Sequence, residues 1–157
     1  MSRDGLIPVV PNADGRFRFA RQIAVRFGDL DALGHVNHVV YLTYVEQVRT
    51  AYFQEVMGLA IPDDLTWVIA SVNYTFLAPL GFGDVVEVGW RIRRLGRASA
   101  DYEAEIWRGE SIVARGNGTL VNAEPRAGRS VPIPDGWREA VATYEGIAAV
   151  DERPSLS

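Results

Sequence analysis

The sequence contains no cysteine, no lysine and only two histidines. The absence of cysteine excludes disulfides, thiolate metal sites and a cysteine nucleophile. The absence of lysine excludes a Schiff-base lysine and the lysine of a phosphate-binding P-loop. All 16 basic residues are arginine, and 20 acidic residues outnumber them, which gives a net charge of −4. This balance argues against a nucleic-acid-binding protein, because such proteins need clustered positive charge.

Long apolar runs are also missing from the sequence. No stretch approaches the roughly 20 apolar residues of a transmembrane helix, and the first residues contain no apolar run typical of a signal peptide. Together with the lack of cysteine, this predicts a cytoplasmic protein that does not bind a membrane. The length of 157 residues and the hydrophobic content of 48% are typical of one globular domain with a core of its own.

Turn residues and apolar periodicity divide the chain into three predicted parts. Residues 1–21 contain two prolines and a turn-like sequence at 12–15, and we expect them to form an N-terminal arm. Residues 22–124 hold the periodic segments and are predicted to be the folded domain. Residues 125–157 begin with a stretch rich in proline and glycine, and we expect an extension with one short helix.

Two kinds of periodicity occur within the predicted domain. Alternating apolar and polar residues predict five strands, at residues 22–29, 66–78, 85–94, 98–108 and 112–123. Apolar side chains every three or four residues predict a long helix at 38–57 with a broad apolar face, ended by Gly58. Gly116 and Gly118 indicate a bulge or a close approach of another segment in the last strand. The prediction is an α+β fold in which a curved antiparallel sheet of about five strands wraps one long central helix.

Polar residues are concentrated between the first predicted strand and the helix. They are Asp29, Asp31, His35, Asn37 and His38. Asn37 is placed to cap the helix through the N–H of Val39 or Val40, which leaves the N–H of His38 free at the positive end of the helix dipole. Such an N–H can stabilise an oxyanion, and Asp31 can act as a nucleophile or general base. Ordinary capping and loop hydrogen bonds are the alternative for each residue, but together the residues predict hydrolysis of an activated ester.

Other chemistries find less support in the sequence. Neither a G-x-S-x-G motif nor a P-loop is present, and His35 and His38 lack the spacing of a metal site, so no metal is expected. Arginines cluster around Arg91 and Arg93 in a predicted strand. They form either a solvated strand face or a clamp for phosphate groups.

Residues 26–53 resemble the signature of the hot-dog-fold acyl-CoA thioesterases, the 4-hydroxybenzoyl-CoA thioesterase-like superfamily. The signature has two aspartates, a Gly-His-Val-Asn sequence, two tyrosines, a glutamate and an arginine at fixed spacings. The matching residues are Asp29, Asp31, Gly34, His35, Val36, Asn37, Tyr41, Tyr44, Glu46 and Arg49. His38 stands where many members have a second asparagine, so the resemblance carries over only the role of its backbone.

The resemblance implies an acyl-CoA thioesterase that releases a free acid and CoA and needs no cofactor. Asp31 is then the catalytic carboxylate, as nucleophile or as base for water, and the N–H of His38 polarises the carbonyl within a loop that also contains His35 and Asn37. Members of the family are homodimers or tetramers of dimers with active sites at the subunit interface. The residues expected to contact the acyl-CoA substrate are Tyr41, Glu46, Arg91 and Arg93.

Two alternatives stay open on the same fold. One is an acyl-carrier-protein thioesterase or a dehydratase, in which Asp31 and His35 would form the acid–base pair. The other is a non-catalytic module that binds an acyl thioester, because a fold does not determine a function. The acyl group is not predicted, because five aromatic residues either line a pocket for an aromatic or medium-chain acyl group or fill the core, and the core is expected for most of them. These residues are Tyr41, Tyr44, Trp67, Tyr74 and Phe76.

Overall fold

The computed structural model describes residues 6–8 and 15–151 of the chain. Its strands are β1 (Ile7–Pro8), β2 (Ala20–Ala24), β3 (Trp67–Phe76), β4 (Val85–Leu95), β5 (Ser99–Arg108), β6 (Ser111–Glu124) and β7 (Arg129–Ser130). Its helices are α1 (His38–Glu55) and α2 (Asp135–Glu145), and a 3-10 turn spans Phe27–Asp29. Neither helix within the described residues is long and apolar enough to cross a membrane.

The strands form one sheet in the order β1-β2-β4-β5-β6-β3, and the short β7 pairs with β6. β2 and β4 pair antiparallel, with Ile23 opposite Val86. The five long strands and the long helix confirm the predicted α+β architecture. The strands β1 and β7 were not predicted, because two residues are too few to show an alternating pattern.

The helix α1 agrees closely with the predicted helix over residues 38–57. Its central side chains are fully buried, among them Val45, Val48 and Tyr52, as the broad apolar face predicts. After the helix, Gly58 adopts a φ of +73°. This left-handed conformation suits glycine and ends the helix as expected.

The sequence predicted a first strand at residues 22–29, and this prediction is wrong for residues 25–29. β2 begins at Ala20 and ends at Ala24, and the chain then enters the 3-10 turn. The side chain of Asp29 accepts a hydrogen bond from the backbone N–H of Arg26 at 2.9 Å. This local hydrogen bond competes with extended structure and does not appear in an alternation pattern.

The strand β3 is much more exposed than its apolar face suggests. Val68 and Val72 are 51% and 50% exposed, and Ile69 and Phe76 also lie at the surface. The core expectation is confirmed for Tyr41, Tyr44 and Trp67. It is wrong for Tyr74, which is half-buried, and for Phe76, which is exposed. β3 is the last strand in the sheet order, so it leaves an unpaired edge within the described chain.

By the density of its contacts, the chain divides into two compact units. The first comprises Met1–Ala51, Tyr74–Trp90 and Ala104–Gly116. It contains most of α1 and the loop that precedes it. The second comprises Tyr52–Asn73, Arg91–Glu103 and Asn117–Ser157, and it contains α2. The predicted boundaries at residues 21 and 124 stay a prediction.

Two contacts hold segments of the second compact unit together. Arg138 of α2 is buried and donates hydrogen bonds to the carbonyls of Gly96, Arg97 and Ala149 at 2.6–3.0 Å. Gly118 of β6 lies so close to β3 that an added Cβ would stand 2.4 Å from the carbonyl oxygen of Ser71. The predicted close approach at Gly118 is therefore confirmed.

Candidate active site

The loop between the 3-10 turn and α1 is closed by hydrogen bonds within its own backbone. The N–H of Asp31 donates to the carbonyl of His35 at 2.8 Å, and the N–H of Asn37 donates to the carbonyl of Asp29 at 3.2 Å. Gly34 makes the return possible because its φ of +77° is rarely open to other residues. The loop therefore brings Asp31 opposite His35 and just before the start of α1.

Asp29 anchors this loop to the helix. Its side chain is 4% exposed and accepts hydrogen bonds from the guanidinium of Arg26 at 3.0 Å and the hydroxyl of Tyr44 at 2.7 Å. Burial raises the pKa of the Asp29 carboxyl, but the hydrogen bonds from Arg26 and Tyr44 outweigh it and hold that pKa below its usual value. Burial and the neighbouring Asp29 both raise the pKa of Tyr44. Asp29 is thus a buried hydrogen-bond acceptor that organises the loop.

Asp31 lies in a different environment from Asp29. It is exposed, and its Oδ1 accepts hydrogen bonds from the N–H groups of Leu33 at 2.8 Å and His35 at 3.4 Å. No residue of the described chain donates to its Oδ2. The turn therefore fixes the carboxylate through one oxygen and leaves the other open, which suits a nucleophile or a general base.

The start of α1 is capped as the sequence predicts. The side chain of Asn37 accepts a hydrogen bond from the N–H of Val39 at 2.9 Å, and its carbonyl accepts one from Val40 at 2.9 Å. The N–H of His38 has no acceptor among residues 6–8 and 15–151. It is a free donor at the positive end of the helix.

A cleft of about 320 Å³ opens beside this donor. Its lining residues are Val36, His38, Tyr41, Phe76, Leu77, Ala78 and Pro79. The ring of Phe76 makes edge-to-face contacts with the rings of His38 and Tyr41, at centroid distances of 5.9 and 5.3 Å. The hydroxyl of Tyr41 donates to the carbonyl of Ala78 at 3.0 Å. Three aromatic rings therefore form one wall of the cleft.

Residues 77–79 also line the cleft, and sequence reasoning did not find them. Their backbone is held where Val36 donates to the carbonyl of Leu80 at 2.8 Å and where Arg108 donates to that of Pro79 at 2.9 Å. Arg108 also pairs with Asp84 at 3.1 Å. These contacts join segments far apart in the chain, so only the turn residues around Pro79 gave a signal that a loop lies here.

Glu46 lies apart from the cleft-lining residues. It contributes to a second groove of about 220 Å³ on α1 and makes a loose pair with Arg49 at 3.9 Å. The groove is otherwise lined by Leu6, Thr43, Gln47 and Thr50. The structure therefore does not bring Glu46 into one cleft with Tyr41 and His38.

Arg91 and Arg93 belong to β4 and to the second compact unit. Arg91 forms an ion pair with Glu103 of β5, whereas the side chain of Arg93 is exposed. The guanidinium of Arg91 is thus already paired with a carboxylate. Among the described residues, no group of three or more histidine, aspartate or glutamate side chains is arranged to hold a metal ion.

Comparison with known proteins gives the family. The family model described as the thioesterase superfamily matches residues 33–114, just over half of the chain. The chain belongs to the thioesterase superfamily. It is therefore a thioester hydrolase, and its sheet and central helix form the hot-dog fold that the resemblance predicted.

Three relatives illustrate the similarity. A thioesterase from Thermus thermophilus, solved with coenzyme A and Zn, is 38% identical with a TM-score of 0.74, over 84% of this chain and 97% of that one. A thioesterase superfamily protein from a Jannaschia species is 29% identical with a TM-score of 0.74, over 88% of this chain and 87% of that one. The acyl-CoA thioesterase YbgC of Helicobacter pylori is 30% identical over 83 residues, which are 53% of this chain and 62% of that protein.

Asp29→Asn tests the anchoring role of the buried carboxylate. We expect the substitution to lower the free energy of unfolding at neutral pH by about 1.5–3 kcal/mol, the range for hydrogen bonds to charged groups. The folded-state pKa of Asp29 lies below the usual 3.8. Its contribution to stability is therefore present above that value and lost as the pH falls through the folded-state pKa.

Urea unfolding of wild type and variant, from about pH 7 down to about pH 2.5, measures this effect. The difference in stability between the two proteins should shrink towards the acid end. Asp31→Asn is the matched control, because its exposed side chain can still accept the two loop N–H groups and should unfold like wild type. A constant difference at all pH values would contradict the role of the Asp29 charge.

Proposed function

We propose that the protein is an acyl-CoA thioesterase in which Asp31 is the catalytic carboxylate. One observation carries the proposal: a closed loop holds the exposed carboxylate of Asp31, and the same loop leads to the free backbone N–H of His38, a residue that lines the aromatic cleft. The relatives support CoA as the thiol, since one is named an acyl-CoA thioesterase and another was solved with coenzyme A.

The proposed reaction uses the cleft as follows. The thioester oxygen accepts a hydrogen bond from the N–H of His38, which stabilises the charge that develops on that oxygen. Asp31 then either attacks the carbonyl carbon or takes a proton from a water that attacks it. In the first route the C–S bond breaks to leave an anhydride between the acyl group and Asp31, and water then hydrolyses this anhydride to the free acid and restores the carboxylate. In the second route the C–S bond of the water adduct breaks and gives the free acid directly. In both routes CoA leaves as a thiolate that takes up a proton released from the water. Water and the carboxylate suffice for these steps, so we propose no cofactor.

The substrate contacts are assigned by the position of each side chain. Tyr41 lines the cleft and is proposed to contact the acyl group. Arg93 is the better candidate for a CoA phosphate, because its side chain is exposed whereas Arg91 is paired with Glu103. Glu46, in its own groove, is proposed to contact a part of the substrate away from the thioester.

Asp31→Asn tests the catalytic carboxylate. The amide keeps the size and the loop hydrogen bonds of the side chain but cannot act as a nucleophile or a base. We expect kcat for acyl-CoA hydrolysis to fall at least about a hundredfold, with little change in acyl-CoA binding. Steady-state kinetics and calorimetric binding measure the two effects. A folded variant with near-normal turnover would refute the mechanism.

His38→Pro tests the backbone donor. Proline is well tolerated at the first position of a helix, where its missing N–H has no helical partner. The substitution therefore deletes the N–H while it preserves α1, and His38→Ala is the matched control because it changes the side chain and retains the N–H. We expect kcat of the proline variant to lie about 10²–10³-fold below that of the alanine variant, the effect of losing one oxyanion donor. Equal kcat values, with matching circular dichroism spectra, would rule out this donor.

The exposed edge strand supports a homodimer or a tetramer of dimers. The apolar side chains of β3, including Val68, Ile69 and Val72, lie at the surface on an unpaired edge, which a second copy of the chain would cover. Light scattering at micromolar concentration should give at least twice the mass of one chain. Val72→Glu should shift the protein towards a monomer, because a charge on an edge strand opposes pairing. A wild-type monomer would contradict the proposed assembly.

A further inference from the structure

The imidazole of His38 lies at the cleft with both of its nitrogens unused among the described residues. Five of the other lining residues are apolar, and the hydroxyl of Tyr41 already donates to the carbonyl of Ala78. The ring of His38 contacts Phe76 edge to face, and no described residue forms a hydrogen bond with its nitrogens. A neutral imidazole has one N–H donor and one acceptor, so His38 adds an open donor and an open acceptor to a mostly apolar lining.

The imidazole and the proposed backbone donor belong to the same residue of the cleft. His38 lines the cleft, and its ring contacts Phe76, which also lines it. An acyl group that binds in this cleft with its carbonyl oxygen on the N–H of His38 is therefore within reach of the imidazole. Phe76 restricts the ring on one side, and Phe76 is itself packed against Tyr41 at 5.3 Å. Edge-to-face contacts of this kind favour a defined orientation of the ring.

We infer that the imidazole of His38 determines acyl-group specificity and favours acyl groups that carry a hydroxyl close to the thioester carbonyl. The inference rests on the proposed function, because it takes the N–H of His38 as the donor to the thioester oxygen. A hydroxyl on the first carbons of the acyl group can exchange hydrogen bonds with the imidazole. A plain hydrocarbon chain forms no such hydrogen bonds, and it would cover the imidazole and leave the hydrogen-bonding groups of the ring unsatisfied. Enzymes discriminate against substrates that leave polar groups of the site unsatisfied in this way.

The test compares two substrates of equal length. They are the straight-chain acyl-CoA that the wild type hydrolyses fastest in a chain-length series, and its 3-hydroxy analogue. The measured quantity is the ratio of kcat/KM for the hydroxylated ester to kcat/KM for the plain ester. The ratio is the readout because a general loss of turnover lowers both values and cancels.

Two variants separate the ring from its nitrogens. His38→Phe keeps an aromatic ring against Phe76 and removes both hydrogen-bonding groups, so we expect the ratio to fall about tenfold, the effect of one hydrogen bond. His38→Asn removes the ring and keeps a donor and an acceptor, so its ratio should stay within about threefold of wild type. His35→Phe is the matched control: this exposed histidine is not among the cleft-lining residues, and its substitution should leave the ratio unchanged.

A second readout does not depend on turnover. In the Asp31→Asn background, calorimetry of the two esters should show that His38→Phe weakens binding of the hydroxylated ester more than that of the plain ester. An unchanged ratio in His38→Phe, or an equal change of the ratio in His35→Phe, would overturn the inference. If the wild type still hydrolysed acyl-CoA in that case, the proposed function would stand. A wild type that hydrolyses no acyl-CoA would overturn both.

Discussion

The buried carboxylate of Asp29 is the interaction on which the rest of the site depends. An unpaired charge at 4% exposure would be costly, and the hydrogen bonds from Arg26 and Tyr44 make it tolerable. Because Arg26 precedes the loop and Tyr44 belongs to α1, the same group connects the end of β2 to the helix. This connection holds the two ends of the loop together, and the backbone hydrogen bonds within the loop then set the positions of the residues between them.

The same anchor explains why two aspartates only two residues apart behave differently. In an extended strand, residues i and i+2 point to the same side, so Asp29 and Asp31 would share one environment. The 3-10 turn at Phe27–Asp29 breaks that relation and sends Asp29 into the core and Asp31 to the surface. The buried aspartate is fully occupied by its hydrogen bonds, whereas Asp31 retains one oxygen to which no described residue donates. A local departure from regular structure thus gives two neighbouring aspartates different environments.

Sequence reasoning succeeded where the signal was local. The periodicity of α1, the glycine after it and the cap at Asn37 all depend on residues within a few positions of one another, and the structure agrees with each. The predicted end of β2 was wrong because the side chain of Asp29 accepts a hydrogen bond from the backbone N–H of Arg26 and so competes with strand pairing. The exposure of β3 could not be foreseen, since an apolar strand face has the same pattern whether it faces a core or a partner.

Contacts between segments far apart in the chain also could not be predicted from the sequence. The ion pair of Arg91 with Glu103 and the hydrogen bond of Arg108 to Pro79 require the strand pairing to be known. The wall of the cleft at Phe76 has the same origin, because only the fold brings the end of β3 to the start of α1. The loop motif therefore supplied the candidate reacting groups of the site, whereas the groups that give the cleft its shape came from the structure.

The buried guanidinium of Arg138 sets a limit on how far the chain can be shortened. It donates to the carbonyl of Ala149 as well as to those of Gly96 and Arg97. The N–H of Asp151 donates to the carbonyl of Leu95, and the carbonyl of Asp151 accepts from the guanidinium of Arg94. Truncation directly after α2 would remove acceptors from two arginines, one of them buried, and would open the turn between β4 and β5 to water. A fragment that keeps all of these acceptors therefore extends through residue 151, several residues beyond the end of α2.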